Sequence, residues 1–408
     1  MAETFIVPKE PKLDWKMLLP NFRHKEFFFR HNGRPFYYLF WARNGIYHGL
    51  AALGLKAGDN VLVPAYHCTS LVEPILKYGS QAKFYDINVD LTPNFDDINK
   101  KIDSNTRAIV AIHYFGFSQP IRKFTELCRA RGLYLLEDCA HVLAGKSEEG
   151  IVLGDSGDIS IFSWRKFLPL YDGGQLLINN PKLILNVPWD EGGFLVSLKI
   201  AKNTIERLSE DYAGGRVGWL SWPWELFSML AGHWTVLHSS GRRVVNMNSY
   251  EVEFNLNYVN LRMSSISKRI LNRANIAKII ESRRGNYERL RDAVQRMAGV
   301  TPLYPALPEN ICPWVFPLVI HGVEDAQLRL RARGIPANTW SGVIHPSLIL
   351  EQFPSARFLY ENLVFLPIHQ GMEERHLCSM TQILDQVLQE KPSIDEKGFD
   401  GSFSLSAV

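Results

Sequence analysis

The stretch from Ala108 to Asn180 constrains the fold of this 408-residue chain more than any other. It holds three short apolar runs, Ala108 to Phe115, Gly132 to Leu136 and Asp158 to Ser163. A polar, helix-like segment from Gln119 to Arg131 separates the first two. Apolar runs of this length alternating with polar helices predict βαβ units and a parallel sheet covered on both faces. In such sheets ligands bind beyond the carboxyl ends of the strands. The residues just past these runs therefore matter most: Asp138 and His141 after the second, Ser163 and Lys166 after the third.

A carboxylate, a histidine, a hydroxyl and a lysine together suit a phosphate-bearing, nitrogen-containing aromatic aldehyde, which describes pyridoxal 5'-phosphate. Such a ring needs a shielded carboxylate beside its nitrogen, and Asp138 follows a strand apolar on both faces. The plainer reading of Asp138 is a helix cap. His141 could contact the ring or its hydroxyl, or serve the packing alone. Lys166 lies among aromatic and apolar neighbours, before Asp172-Gly173-Gly174. Burial lowers a lysine pKa and frees the amine to attack a carbonyl; the adjacent Arg165 cannot do this. For the phosphate, Ala42-Arg43-Asn44-Gly45 opens a helix, whose N-terminus favours anions, and Arg43 could add a charged fork. An ordinary helix start with an exposed arginine is the alternative. Tyr66, His67 and Cys68 follow another strand end; they could cover a face of the ring or be interior packing.

The rest of the chain sets the frame. Residues 1–35 read as an N-terminal arm. Strands are expected at Val61 to Pro64 and Lys83 to Ile87, and helices at Asn44 to Leu53 and Leu198 to Leu208. One or two long helices are expected in Met263 to Met297, and an α+β pattern from about 300 to 391. Residues 392–408 have little to bury and read as a disordered tail. Residues 185–250 break the rhythm, and Trp219, Trp222, Trp224 and Trp234 cluster there. A contact surface for protein or substrate is expected of them and a membrane span is not, because Pro223, Glu225 and His233 interrupt the window. The formal net charge is only +3, so no basic field argues for nucleic acid. Five cysteines without zinc-finger spacing read as reduced thiols of a cytoplasmic protein. No GxGxxG, P-loop, GxSxG or HExxH pattern occurs, and no metal site is expected.

Taken together the chain resembles the DegT/DnrJ/StrS family of pyridoxal-phosphate-dependent nucleotide-sugar aminotransferases. The matching stretches are Ala51 to Pro64, Glu137-Asp138-Cys139-Ala140-His141, Gly154 to Ser163, Lys166 with Asp172-Gly173-Gly174, Asn260-Leu261-Arg262-Met263, and Leu366 to His369. The resemblance implies fold type I: a large three-layer α/β/α domain with a mainly parallel sheet (36–262, with the insertion at 185–250), a linking helix (263–299) and a small C-terminal α+β domain (300–391). It implies transfer of an amino group from an amino acid, glutamate by expectation, to a nucleotide-linked keto sugar. Asp138 would then meet the ring nitrogen, His141 the ring oxygen, Ser163 the phosphate and Lys166 the aldehyde carbon. Arg43, Asn44, His67 and Cys68 would line the cofactor, and Asn260 would reach the phosphate of a neighbouring subunit, giving a homodimer with shared sites. The chain departs from the pattern where Trp41-Ala42-Arg43 stands for the usual Ser-Gly-Thr, and where Lys166 follows Ser163 at a spacing shorter than usual. Another reaction on the same cofactor, such as sugar dehydration or amino-acid chemistry, and a non-catalytic binding protein are the alternatives.

Overall fold

The computed structural model describes residues 7–19, 33–213 and 254–390. The tryptophan cluster at 219–237 and the tail 392–408 lie outside the described residues.

The central strands form because their residues are mostly apolar on both faces and are covered on both, whereas the two edge strands are partly exposed. Seven make one sheet: β1 Phe36–Leu39, β2 Asn60–Pro64, β3 Gln81–Tyr85, β4 Thr106–Ile112, β5 Tyr134–Cys139, β6 Ile159–Ser163 and β7 Gly174–Ile178. Their order is β1-β7-β6-β5-β4-β2-β3. The pairs β2–β3, β2–β4, β4–β5 and β5–β6 are parallel. Strand β7 runs antiparallel to both β6 and β1, a reversal the apolar runs do not encode. Helices α1 Ala42–Ala52, α2 Thr69–Tyr78, α3 Phe95–Lys101 and α4 Ile121–Arg131 alternate with the strands. Helix α1 comes unusually close to the sheet: a Cβ on Gly45 would meet Ile161 at 3.1 Å, and one on Gly49 would meet Ile159 at 2.3 Å. The i, i+4 glycine pair places the bare face of the helix on the sheet.

Helix α5, Phe194–Ala213, extends further than the sequence predicts. It is anchored where Ile200 joins Phe40 and Leu261 in a small apolar cluster. The stretch from Met263 forms two helices, α6 Ser265–Arg273 and α7 Ile276–Val294, separated by the Asn275 cap. A second, antiparallel sheet follows, ordered β10-β9-β8, from β8 Val300–Pro302, β9 Val315–Ile320 and β10 Leu363–Pro367. It carries α8 Ala326–Ala332, α9 Pro354–Asn362 and α10 Glu374–Gln389. The main buried cluster runs without interruption from Val61–Val63 of the large sheet to Phe316 and Phe365 of the small one. Residues of the N-terminal arm lie on the C-terminal part, with Val7 N–H donating to the Gly334 carbonyl and His369 bonded to the Pro8 carbonyl. No helix of the described residues is long and apolar enough to cross a membrane.

Glu137 of β5 ties His113, just past β4, to the 154–157 loop that leads into β6. Its carboxylate is fully buried and accepts N–H bonds from Gly154 (2.6 Å), Ser156 (3.0 Å) and Gly157 (2.8 Å), and a bond from His113 Nε2 (2.8 Å). Burial alone would push its pKa up, but His113 and the Gly154 and Gly157 amides outweigh that and hold it below the usual range. A group whose folded pKa is depressed stabilises above its unfolded pKa and loses that contribution as pH falls through the folded value. Glu137→Gln is therefore expected to lower the free energy of unfolding by about 3 kcal/mol at neutral pH. In urea titrations across pH the gap to wild type should close below the ordinary glutamate range. A gap that persists in acid would show that the carboxylate charge is not what holds this loop.

Candidate active site

Side chains alternate along a strand, so Glu137 and Asp138 leave β5 on opposite sides. Asp138 is only 9% exposed and accepts the Ala140 N–H at 2.8 Å. Burial raises its pKa, against the Ala140 amide and the charges of Lys166 and His113. No helix follows β5 before β6, so Asp138 caps none; its carboxylate makes a local turn bond and also acts on Lys166.

Lys166 ends a single 3-10 turn, Trp164–Lys166, that follows β6 directly. Its amine sits 4.4 Å from the centre of the Trp314 ring. Burial lowers the amine pKa to about 8, while Cys68 and Asp138 act to raise it and Arg165 to lower it. A useful fraction of free amine at neutral pH follows, which is the state a carbonyl-attacking lysine needs.

His141 is buried against two rings, Trp314 at 4.3 Å and 22° and Phe115 at 5.8 Å and 3°. Its Nδ1 accepts the Phe115 N–H at 3.1 Å, and its pKa is pushed well below the usual value, by burial first and Lys166 second. The ring is therefore neutral, and its remaining proton belongs on Nε2.

Ser163 pairs with Gly174 across β6 and β7. A Cβ on Gly174 would lie 2.3 Å from Ala42 N and 2.3 Å from the Trp41 carbonyl carbon. The glycine thus admits the start of α1 against the strand that carries the Ser163 partner. That helix begins after Trp41 without a side-chain cap. Arg43 lies over the Trp41 ring at 4.1 Å. Asn44 is buried, donates from Nδ2 to the Tyr258 carbonyl at 2.7 Å, and leaves Oδ1 without a hydrogen-bond partner. Cys68 is the N-cap of α2 and is one of the groups acting on Lys166.

One sequence-derived candidate stands elsewhere. The His67 ring stacks on Phe84 (5.1 Å, 9°), with Nδ1 bonded to the Pro64 carbonyl at 2.9 Å, because the turn after β2 directs it into the core. The segment holding Asn260 lies along α1 of its own chain: His48 bonds the Val259 carbonyl, and the Asp190 N–H donates to the Asn260 carbonyl. Among the described residues His113, Glu137 and Cys139 place ligand atoms within 4.8 Å of one another. The Glu137 oxygens there are engaged by three amides and His113, and His113 Nδ1 accepts the Gln119 N–H, so this group is a brace. The sequence reading missed Trp314, Trp340 and Phe365 of the C-terminal part. Trp340 lies 5.5 Å from His141 and 4.9 Å from Tyr66, and Phe365 lies 5.3 Å from Phe115. No local pattern distinguishes these rings from ordinary core aromatics.

The donor set fits pyridoxal phosphate: a shielded carboxylate, a lysine held near neutrality, a neutral histidine with one proton to give, and a hydroxyl beside an uncapped helix start. The fold is of type I: a mainly parallel sheet covered by helices, followed by a small antiparallel sheet. Residues 42–188, which include Asp138, Ser163 and Lys166, match the DegT/DnrJ/EryC1/StrS aminotransferase family. It is 33% identical over 138 residues to a GDP-perosamine synthase of Vibrio cholerae, covering 33% of this chain and 37% of that protein. It is 31% identical over 134 residues to a dTDP-4-dehydro-2,3,6-trideoxy-D-glucose 4-aminotransferase of Saccharopolyspora spinosa, covering 32% and 34%. The matched region thus spans little more than a third of those relatives. The aminotransferase TlmJ from Streptoalloteichus hindustanus superposes with a TM-score of 0.60 at 20% identity, over 86% of this chain and 85% of that one, a likeness of fold.

The contact at Gly174 gives a direct test. Gly174→Ala forces backbone apart at the Ser163 and α1 junction and should cost about 1–3 kcal/mol of stability. Absorbance titration with pyridoxal phosphate should also show affinity reduced at least tenfold. Unchanged affinity would remove this junction from the phosphate site.

Proposed function

We propose that the protein is a pyridoxal-phosphate-dependent aminotransferase that carries an amino group from an amino acid, glutamate as the expected donor, to a keto sugar, nucleotide-linked by expectation. The observation that carries this reading is the electrostatic pairing of Lys166, its amine lowered to about 8, with the buried Asp138 at the ends of adjoining parallel strands. The named activities of the two sequence relatives support the sugar acceptor.

In this reading Asp138, His141, Ser163, the first turn of α1 and Lys166 hold the cofactor. The bound cofactor supplies an electron sink for breaking a bond at the amino-bearing carbon. Asp138 keeps a proton on the ring nitrogen; its burial strengthens that interaction. Neutral His141 offers its Nε2 proton to the ring oxygen. Lys166 Nζ would hold the cofactor's aldehyde carbon and, as a base whose pKa lies near the working pH, would take up and return a proton at the amino-bearing carbon. The rings of Trp314, Trp340 and Phe115 exclude water around these groups. We further propose a large domain over 36–262 and a small one over 300–391 joined by 263–299, acting as a cytoplasmic homodimer in which Asn260 serves the partner's site.

Borohydride reduction after incubation with pyridoxal phosphate, followed by peptide mapping, should label Lys166; a label on another lysine sinks the assignment. Asp138→Asn should fold normally yet lose at least ~10²-fold in turnover with glutamate, the scale of a positioned acid–base group. Retained turnover would return Asp138 to the role of a turn cap. A change in the cofactor spectrum without keto-acid release would favour another reaction on the same cofactor. Mixing an Asn260→Ala subunit with a Lys166→Ala subunit should restore activity if sites are shared; heterodimers that form and stay inactive argue against it.

A further inference from the structure

Arg283 of α7 is one of the largest side chains buried whole, at 1% exposure. Among the described residues it makes no ion pair with a carboxylate. A guanidinium taken out of water is costly unless its donors are satisfied, and here they go to one place. Nη1 donates to the Trp314 carbonyl at 2.7 Å, Nη2 to the Lys166 carbonyl at 3.4 Å, and Nε to Gln370 Oε1 at 3.2 Å. The guanidinium also lies 4.8 Å from the centre of the Phe167 ring. Gln370 in turn donates from Nε2 to the Phe167 carbonyl at 2.8 Å. Burial lowers the Arg283 pKa to about 10, opposed by Cys312, so the fork stays charged at neutral pH.

These contacts meet the part of the site least able to hold itself. Lys166 closes a three-residue 3-10 turn, and so short a turn has few internal bonds to fix its backbone. Arg283 and Gln370 engage the successive carbonyls of Lys166 and Phe167, which set the direction of the lysine side chain. The same Arg283 grips the carbonyl of Trp314, whose ring lies under the Lys166 amine and against His141. On its amide side Trp314 is anchored by its N–H, which donates to the Phe115 carbonyl at 2.8 Å.

We propose that Arg283, assisted by Gln370, is a positioning residue that ties the shortened lysine loop to Trp314 and so fixes where the Lys166 amine lies. The proposal rests on the role given to Lys166 above. Without the tie the loop relaxes, the amine reaches water, and its pKa climbs toward the ~10.4 of an ordinary lysine. The groups facing the amine are Asp138 from β5, Cys68 before α2, Arg165 of its own turn, His141 and the Trp314 ring. The substitutions below leave all of them in the chain, so a shift in the amine's titration reports its placement.

The test is competitive acetylation of the cofactor-free protein across pH, with Lys166 reactivity read by peptide mapping. Wild type is expected to reach half-maximal reactivity near pH 8. Arg283→Gln should move that midpoint up by a unit or more, at least a tenfold loss of Lys166 reactivity at pH 7. Gln370→Leu, at a partly exposed site that tolerates change, should move it the same way by less. Arg283→Lys keeps the charge but cannot bridge the carbonyls, and should behave like Arg283→Gln. Asn286→Ala is the control for a merely structural effect. Asn286 is buried on the same helix and donates to the Ile368 and His369 carbonyls, so its loss should lower the melting temperature and leave the midpoint in place. A wild-type midpoint in Arg283→Lys, or in both Arg283→Gln and Gln370→Leu, overturns the proposal, as does an equal shift in Asn286→Ala. If Arg283→Gln does not fold, Gln370→Leu decides. Borohydride mapping separates the two claims: a label off Lys166 rejects the functional reading, whereas a label on Lys166 with unmoved midpoints rejects only the positioning role.

Discussion

The candidate site depends on a carboxylate that takes no direct part in it. Glu137 is sealed from water and held by three backbone amides and a histidine. An unpaired charge there would be prohibitive, so the 154–157 loop must close around it and His113 must stand beside it. That closure fixes where β6 begins, and with it where Ser163 and Lys166 emerge. Asp138 follows on the other face of the same strand. One residue thus anchors the scaffold and the next presents its charge to the site.

The second requirement is that the C-terminal part bring its aromatic rings over the strand ends. Trp314 contacts His141 and the Lys166 amine at once, and Trp340 and Phe365 complete the wall. A lysine half-buried among rings has a lowered pKa even with Asp138 nearby, because desolvation of the charged form is the largest influence on it. The same surroundings push Asp138 up and His141 down. Three titratable groups are thereby pushed toward their uncharged forms by one cause, burial, and neighbouring charges modulate the result.

The sequence made much of this legible. Strands β2, β4 and β5 appear as unbroken apolar runs because both faces of a covered parallel sheet are buried. The strand-end positions of Asp138, Ser163 and Lys166 follow from those runs. The cap before α1 was less legible, since Trp41 lacks a side-chain cap. His67 and Cys68, adjacent in sequence, go to opposite fates because the turn after β2 buries one ring on Phe84 and leaves the other side chain at a helix start.

The sequence by itself determined the alternating pattern, the parallel core and the chemical identity of the residues at its carboxyl edge, because these are set by local periodicity and by which side chains follow each run. Only the tertiary structure decided that β7 turns back against β6, that Gly174 lets α1 touch the strand, and that Arg283 and Trp314 reach Lys166 from more than a hundred residues away. Those contacts join positions remote in sequence, and their energy comes from close packing and from satisfying buried polar groups, neither of which leaves a periodic trace in the chain.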